Sequence, residues 1–188
     1  MEFEITTEIL NDKQAAFDIL KSKGFHIVGR FEIKDYYYTH LKNEGGGVLD
    51  YADLIGSSML VRYVSGKDGV IKWLMYKSKT FDTKGQLIGE QKFKTNIDDI
   101  DVTRKMFDMA GFYNWVNQDT VAYIFKRGDL ELIVQDCGEH GLFVEIERFK
   151  EGQSREELIE LAKGLGLSLG TDFDVKKPYL IYSKQRLQ

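Results

Sequence analysis

The chain has 188 residues, 43% of them hydrophobic and 30% charged, and a formal net charge of -4. That balance suits a single domain, residues 1–188, with a sizeable core; it excludes a disordered chain and a nucleic-acid binder driven by bulk positive charge. One cysteine, Cys137, excludes an internal disulfide and a cysteine-rich zinc site. No basic segment followed by an apolar run opens the chain, so a cytoplasmic location is expected. No stretch approaches the ~18 apolar residues of a membrane span.

In chain order, Glu2 and Glu4 open a first strand over 2–9. Residues i and i+2 of a strand leave the same face, so the two carboxylates share a surface opposite Phe3 and Ile5. A helix is expected from Asp12 to Lys23, with Ala16, Ile19 and Leu20 on one stripe and Gly24 placed to end it. Strand 26–40 carries the run Tyr36-Tyr37-Tyr38. Lys42 to Gly56 reads as a long mobile loop, and its glycines at 45–47 lack the Lys-Ser/Thr of a P-loop. Strands 58–65, 70–78 and 87–96 follow. Ser65-Gly66-Lys67-Asp68-Gly69 and Asp82-Thr83-Lys84-Gly85 are hairpin turns in composition, which makes the strands they join antiparallel.

A second helix runs from Asp99 to Ala110, with an apolar stripe of Val102, Met106, Met109 and Ala110, and is closed by Gly111. Gly24-Phe25 and Gly111-Phe112 both lead into aromatic-rich strands, a faint echo between two halves. Strands are expected at 121–126, 130–136 and 142–149, the last carrying a second acidic pair, Glu145 and Glu147. Ser154 with Glu157 three residues on is a capping box, opening a third helix through Leu158, Leu161, Ala162 and Leu165. Residues 179–183 read as a ninth strand.

Carboxylates crowded on one face repel unless a hard cation or a basic cluster compensates. Arg62, Lys77 and Lys126 are lone basic residues on the intervening strands. Several strands set charge on one face against bulky apolar residues on the other. A sandwich would leave those charges in water, whereas a barrel could enclose them and lay its apolar exterior under helices. Periodicity leaves both open.

The order of these elements resembles the CYTH family, the triphosphate tunnel metalloenzymes, from Glu2 to about Tyr182. The family's Glu-x-Glu-x-Lys is similar to Glu2-Phe3-Glu4-Ile5-Thr6, and its Asp-x-Tyr strand to Asp35-Tyr36-Tyr37. Its Leu-Arg-Ile-Arg strand resembles Leu60-Val61-Arg62-Tyr63-Val64, and its Thr-Tyr-Lys resembles Met75-Tyr76-Lys77. An acidic strand is matched by Glu90, with Lys92 and Lys94 beyond it. A Lys-x-Arg strand is similar to Ile124-Phe125-Lys126-Arg127, and an aspartate-containing strand to Leu132-Ile133-Val134-Gln135-Asp136. The closing Glu-x-Glu is similar to Glu145-Ile146-Glu147.

The resemblance implies an α+β fold: an antiparallel eight-stranded β-barrel, a tunnel with a polar lumen, flanked by about three helices. It implies Mg²⁺ or Mn²⁺ held by Glu2, Glu4, Glu90, Asp136, Glu145 and Glu147. It implies a triphosphate-containing small molecule gripped by Arg62, Lys77, Lys92, Lys94 and Lys126. Neither nucleic acid nor membrane is implied as a partner, and a homodimer stays open. The implied activity is hydrolysis or adenylyl cyclisation of inorganic triphosphate, ATP or thiamine triphosphate. The departures are Thr6 for the family's lysine, Val64 for its second arginine, and Gly128 at its second basic position. They leave room for a catalytically depleted relative that binds polyphosphate or nucleotide, or for a structural protein that kept the scaffold.

Overall fold

The computed structural model describes residues 4–41, 49–56, 58–81, 87–147 and 149–186, the side chains of 55–56, 77–81 and 87–90 excepted. Eight strands form one antiparallel sheet: β1 Glu4–Ile9, β2 His26–Thr39, β3 Met59–Gly66, β4 Gly69–Phe81, β5 Leu87–Asn96, β6 Tyr113–Arg127, β7 Leu130–Asp136 and β8 Leu142–Glu147. Their order is β1-β8-β7-β6-β2-β3-β4-β5. Among the described residues no hydrogen-bonded ladder joins β1 to β5. The free edge of β1 is instead satisfied by a strap over 168–175. The Thr6 N–H donates to the Phe173 carbonyl at 3.2 Å, the Val175 N–H to Thr6 at 3.0 Å, and the Gly170 N–H to Glu8 at 2.9 Å. An unpaired edge is costly, and this segment covers it.

The expected fold class, α+β on eight antiparallel strands, is the one observed, with five α-helices rather than three among the described residues: α1 Lys13–Ser22, α2 Tyr51–Gly56, α3 Ile100–Met109, α4 Arg155–Lys163 and α5 Lys177–Arg186. Three begin where the sequence places their caps. The Asp12 carboxylate accepts from the Ala15 N–H, Asp99 from the Val102 N–H, and Ser154 with Glu157 forms the full capping box. The Gly-Phe echo has a structural meaning. Gly24 (φ 85°) and Gly111 (φ 82°) are left-handed, and the Phe25 and Phe112 N–H groups reach back to the Leu20 and Phe107 carbonyls. Both helices thus end in the same Schellman turn.

Two expectations are corrected. Residues 179–183 lie in α5, not in a strand. Pro178 is tolerated in the first turn, where its missing N–H costs no hydrogen bond, and the buried Ile181 and Tyr182 anchor one side of the helix. Part of the expected loop, Tyr51–Gly56, is α2; its glycines at 45–47 lie outside the described residues.

The chain packs as two compact units, Met1–Glu32 with Asp119–Lys176, and Ile33–Gln118 with Lys177–Gln188. In the first unit the sheet is sharply two-faced. Ile5, Ile9, Phe125, Leu132, Val134, Val144 and Ile146 form one apolar face, packed with Ala16, Phe17 and Leu20 of α1 and Leu158 and Ala162 of α4. Helices therefore cover the apolar face, as a polar-lumen architecture requires.

In the second unit Leu54, Trp115, Val116, Ile181 and Tyr182 make a separate core, flanked by Tyr37, Tyr51 and Tyr179. The expected stripe of α3 does not face that core. Val102, Met106 and Met109 are 56%, 65% and 82% exposed. The packed side of α3 is Arg104 and Phe107. The Arg104 guanidinium lies 4.0 Å over the Tyr36 ring, and Phe107 is 5.2 Å from both Tyr38 and Phe112. The tyrosine-rich strand offers rings, so a cation and another ring bind it better than thioethers do.

Candidate functional site

In the first unit, pairing across β1, β8, β7 and β6 fixes what lies opposite the apolar face. Glu4 pairs with Glu147, Thr6 with Glu145, Glu145 with Ile133, and Ile133 with Ile124. Cross-strand partners share a face, and so do alternate residues along each strand. This face therefore carries Glu4, Thr6, Glu8, Glu145, Glu147, Glu131, Gln135 and Lys126. It is not uniformly polar, since Phe143, Ile133, Ile124 and Ala122 share it.

Glu4, Glu145 and Glu147 each offer an oxygen, and these atoms lie within 4.8 Å of one another. Glu4 and Glu147 stand directly opposite across the ladder, the closest like-charge arrangement a sheet permits. Gln135 is 9% exposed, and its Nε2 donates to Glu145 Oε2 at 3.1 Å. An all-oxygen, all-carboxylate set with no nitrogen or sulfur suits a hard divalent cation of the Mg²⁺ or Mn²⁺ type. Glu2 lies outside the described residues.

Asp136 is not part of this group. One residue further along β7 than Gln135, it leaves the opposite face, where Lys13 Nζ meets its Oδ2 at 2.8 Å. The same ammonium lies 4.8 Å from the centre of the Tyr123 ring. The hydrogen bond from Lys13 holds the Asp136 carboxyl below its ordinary range, aided by the Gly138 N–H and opposed by burial. Asp136 ties β7 to α1. Lys126 does share the carboxylate face, exposed and opposite Glu131. Arg127 points the other way: its guanidinium carbon lies 4.5 Å over the Phe25 ring, and Nη1 donates to the Lys23 carbonyl that ends α1.

In the second unit the register of β3, β4 and β5 gathers the remaining cations. Arg62 pairs with Trp73, Trp73 with Asn96, Met75 with Lys94, Lys77 with Lys92, and Lys79 with Glu90. Arg62, Trp73, Lys92 and Lys94 accordingly share one face. For Lys77 and Glu90 the backbone position alone is described, in register with that set. Lys94 Nζ sits 3.2 Å over the Trp73 ring.

Arg62 is heavily engaged. Its Nε and Nη2 donate to the two oxygens of Asp35, each at 2.6 Å, and Asp35 is 1% exposed. This is a bidentate, largely buried ion pair. Burial, and next the Asp35 charge, push the nearby Tyr37 hydroxyl far above its usual range, so it stays neutral at every ordinary pH.

Sequence reasoning named the three converging glutamates and the basic face. It missed Gln135 and Glu131, which strand parity reaches from Glu145 and Lys126. Among the described residues no helix is long and apolar enough to cross a membrane.

No model of a known protein family matches the sequence. The chain is 24% identical over 185 residues to a Methanocaldococcus jannaschii protein named "Putative adenylate cyclase MJ0240", covering 96% of this chain and 97% of that one. Its fold is similar to that of PH1012 from Pyrococcus horikoshii, with a TM-score of 0.66 at 16% identity over 96% of this chain and 99% of the other. It is similar too to HpAC1 of Hippeastrum, an adenylyl cyclase candidate described as having a dominant triphosphatase activity, with a TM-score of 0.61 at 14% identity over 100% and 98% of the two chains. These likenesses bear out, along the whole chain and at the level of fold, the resemblance to the CYTH family read in its motifs.

Proposed function

We propose that this chain is a metal-dependent triphosphate-binding protein that hydrolyses or cyclises its ligand, with ATP, inorganic triphosphate and thiamine triphosphate as the candidate ligands. The reading rests above all on the convergence of Glu4, Glu145 and Glu147. Three carboxylates from β1 and β8 repel in the absence of a counter-charge, and the fold nonetheless holds them together. They would hold Mg²⁺ or Mn²⁺, which supplies a Lewis acid for phosphoryl oxygens and positions a nucleophile. Lys92 and Lys94, with Arg62 and Lys77 in the same register, supply the cations that phosphate oxygens need. Lys126 adds one positive charge on the carboxylate face itself. The names of these two proteins, both adenylate cyclase candidates and one described with a dominant triphosphatase activity, agree with triphosphate chemistry.

A second reading, binding without turnover, is favoured by one observation. Arg62 is committed to Asp35, while Thr6, Val64 and Gly128 carry no charge where the resemblance implies basic residues. Losing one charge-stabilising group typically costs about 10²–10³ in rate. The two readings separate in one experiment: thermal shift with Mg²⁺ or Mn²⁺ and each triphosphate, beside assays for released phosphate, pyrophosphate and cyclic nucleotide. Turnover supports the first reading. Stabilisation without product supports the second, and no effect of any ligand overturns both.

A further inference from the structure

Gln135 is a long polar residue, 9% exposed, on a face where its neighbours across the ladders are Phe143 and Ala122. Burying an amide is costly unless its hydrogen bonds are made. Its nitrogen donates to Glu145 Oε2 at 3.1 Å, one of the three carboxylates that converge. The acid of this strand, Asp136, faces the other way and is held by Lys13. Beside Glu145 the carboxylate face thus receives from β7 a neutral donor instead of a further negative charge.

We propose that Gln135 is a positioning residue of the metal site. It fixes the plane of the Glu145 carboxylate through one oxygen and offsets part of the repulsion from Glu4 and Glu147. A partner that orients a liganding carboxylate is worth ten- to a hundred-fold in metal affinity. An amide suits this place because it donates at every pH, while an acid in the same position would add a fourth charge and lose the donor when ionised. The inference rests on the metal-binding reading of Glu4, Glu145 and Glu147.

The test is Mn²⁺ binding by the intact chain, read as loss of the free-ion signal in electron paramagnetic resonance. Gln135→Met nearly conserves volume while removing the donor, and Gln135→Asn keeps an amide too short to reach Glu145. Both are expected to fold as the wild type does, by circular dichroism, and to bind Mn²⁺ about ten- to a hundred-fold more weakly. Gln135→Met combined with Glu145→Gln should add nothing beyond Glu145→Gln alone, whereas its effect should persist beside Glu147→Gln. A wild type that binds Mn²⁺ together with variants of unchanged affinity overturns the role of Gln135 and leaves the metal site standing. A lowered melting temperature with unchanged affinity does the same, marking Gln135 as a packing residue. A wild type without saturable binding overturns the metal reading and this inference with it.

Discussion

The two units solve opposite electrostatic problems. In the first, like charges are held together: Glu4 faces Glu147 across the ladder and Glu145 adjoins both, with an amide as a close donor. In the second, opposite charges are locked: Asp35, almost wholly buried, takes both forks of Arg62. A locked pair contributes to stability and specificity of fold, while a repelling group destabilises the free chain and stores affinity for a counter-ion. The lesson is that burial, more than charge type, separates the residues that hold this protein together from those available to a ligand. The lysines of β5, exposed and clustered, belong with the glutamates in that division.

The contrast breaks most visibly at Arg62. Arg62→Ala leaves Asp35 buried without its partner and is expected to cost about 3–5 kcal/mol of folding stability, measured by urea unfolding. A loss below about 1 kcal/mol would move Arg62 to the ligand side of the division. Lys92→Ala should leave stability near the wild type while weakening tripolyphosphate binding by about 1.5–3 kcal/mol, the worth of a hydrogen bond to a charged group. Calorimetry in rising salt checks this, since the lost contact should also flatten the salt dependence.

In the first unit Glu147→Gln should act in the reverse sense. Relieving a directly opposed like-charge pair is expected to raise metal-free stability by roughly 0.2–1 kcal/mol, while weakening Mg²⁺-dependent stabilisation; differential scanning calorimetry with and without Mg²⁺ reads both. The smallest effect is expected at Asp136. Its carboxyl is held below the ordinary range by Lys13, so the pair's contribution is complete above the usual aspartate value. It is lost as pH falls through the lowered one. Lys13→Met should lower stability near neutrality, where the pair is complete, and flatten the stability-versus-pH curve in that acidic window.

Much of this fold is legible in the residues because its signals are local. Asp12, Asp99 and Ser154 announce helix starts through hydrogen bonds made within three residues, and Gly24 and Gly111 mark the stops. Strands β3 to β5 are readable because turn residues separate runs of fixed parity. The failures share a different cause. The segment around Tyr179–Tyr182 is short, apolar and aromatic, and its helical state comes from docking against Trp115 and Tyr51. The Met-rich stripe of α3 satisfies helical periodicity, yet the strands under α3 present tyrosine rings, which select Arg104 and Phe107.

The site was half legible for the same reason. Glu-x-Glu spacing fixes a shared face within each strand, so Glu4, Glu145 and Glu147 could be grouped. Asp136 invited the same treatment, but a single residue of parity puts it on the helix-covered face and brings Gln135 to the carboxylate face. No composition rule distinguishes those two neighbours. The pairing of β7 with β8 does.

The most direct test of the central claim is calorimetric titration of Mn²⁺ into the wild-type chain and into the Glu145→Gln variant. One saturable site in the wild type, lost or weakened at least tenfold in the variant, is the predicted result. Wild-type-like binding by the variant, or no saturable site in either protein, would contradict it.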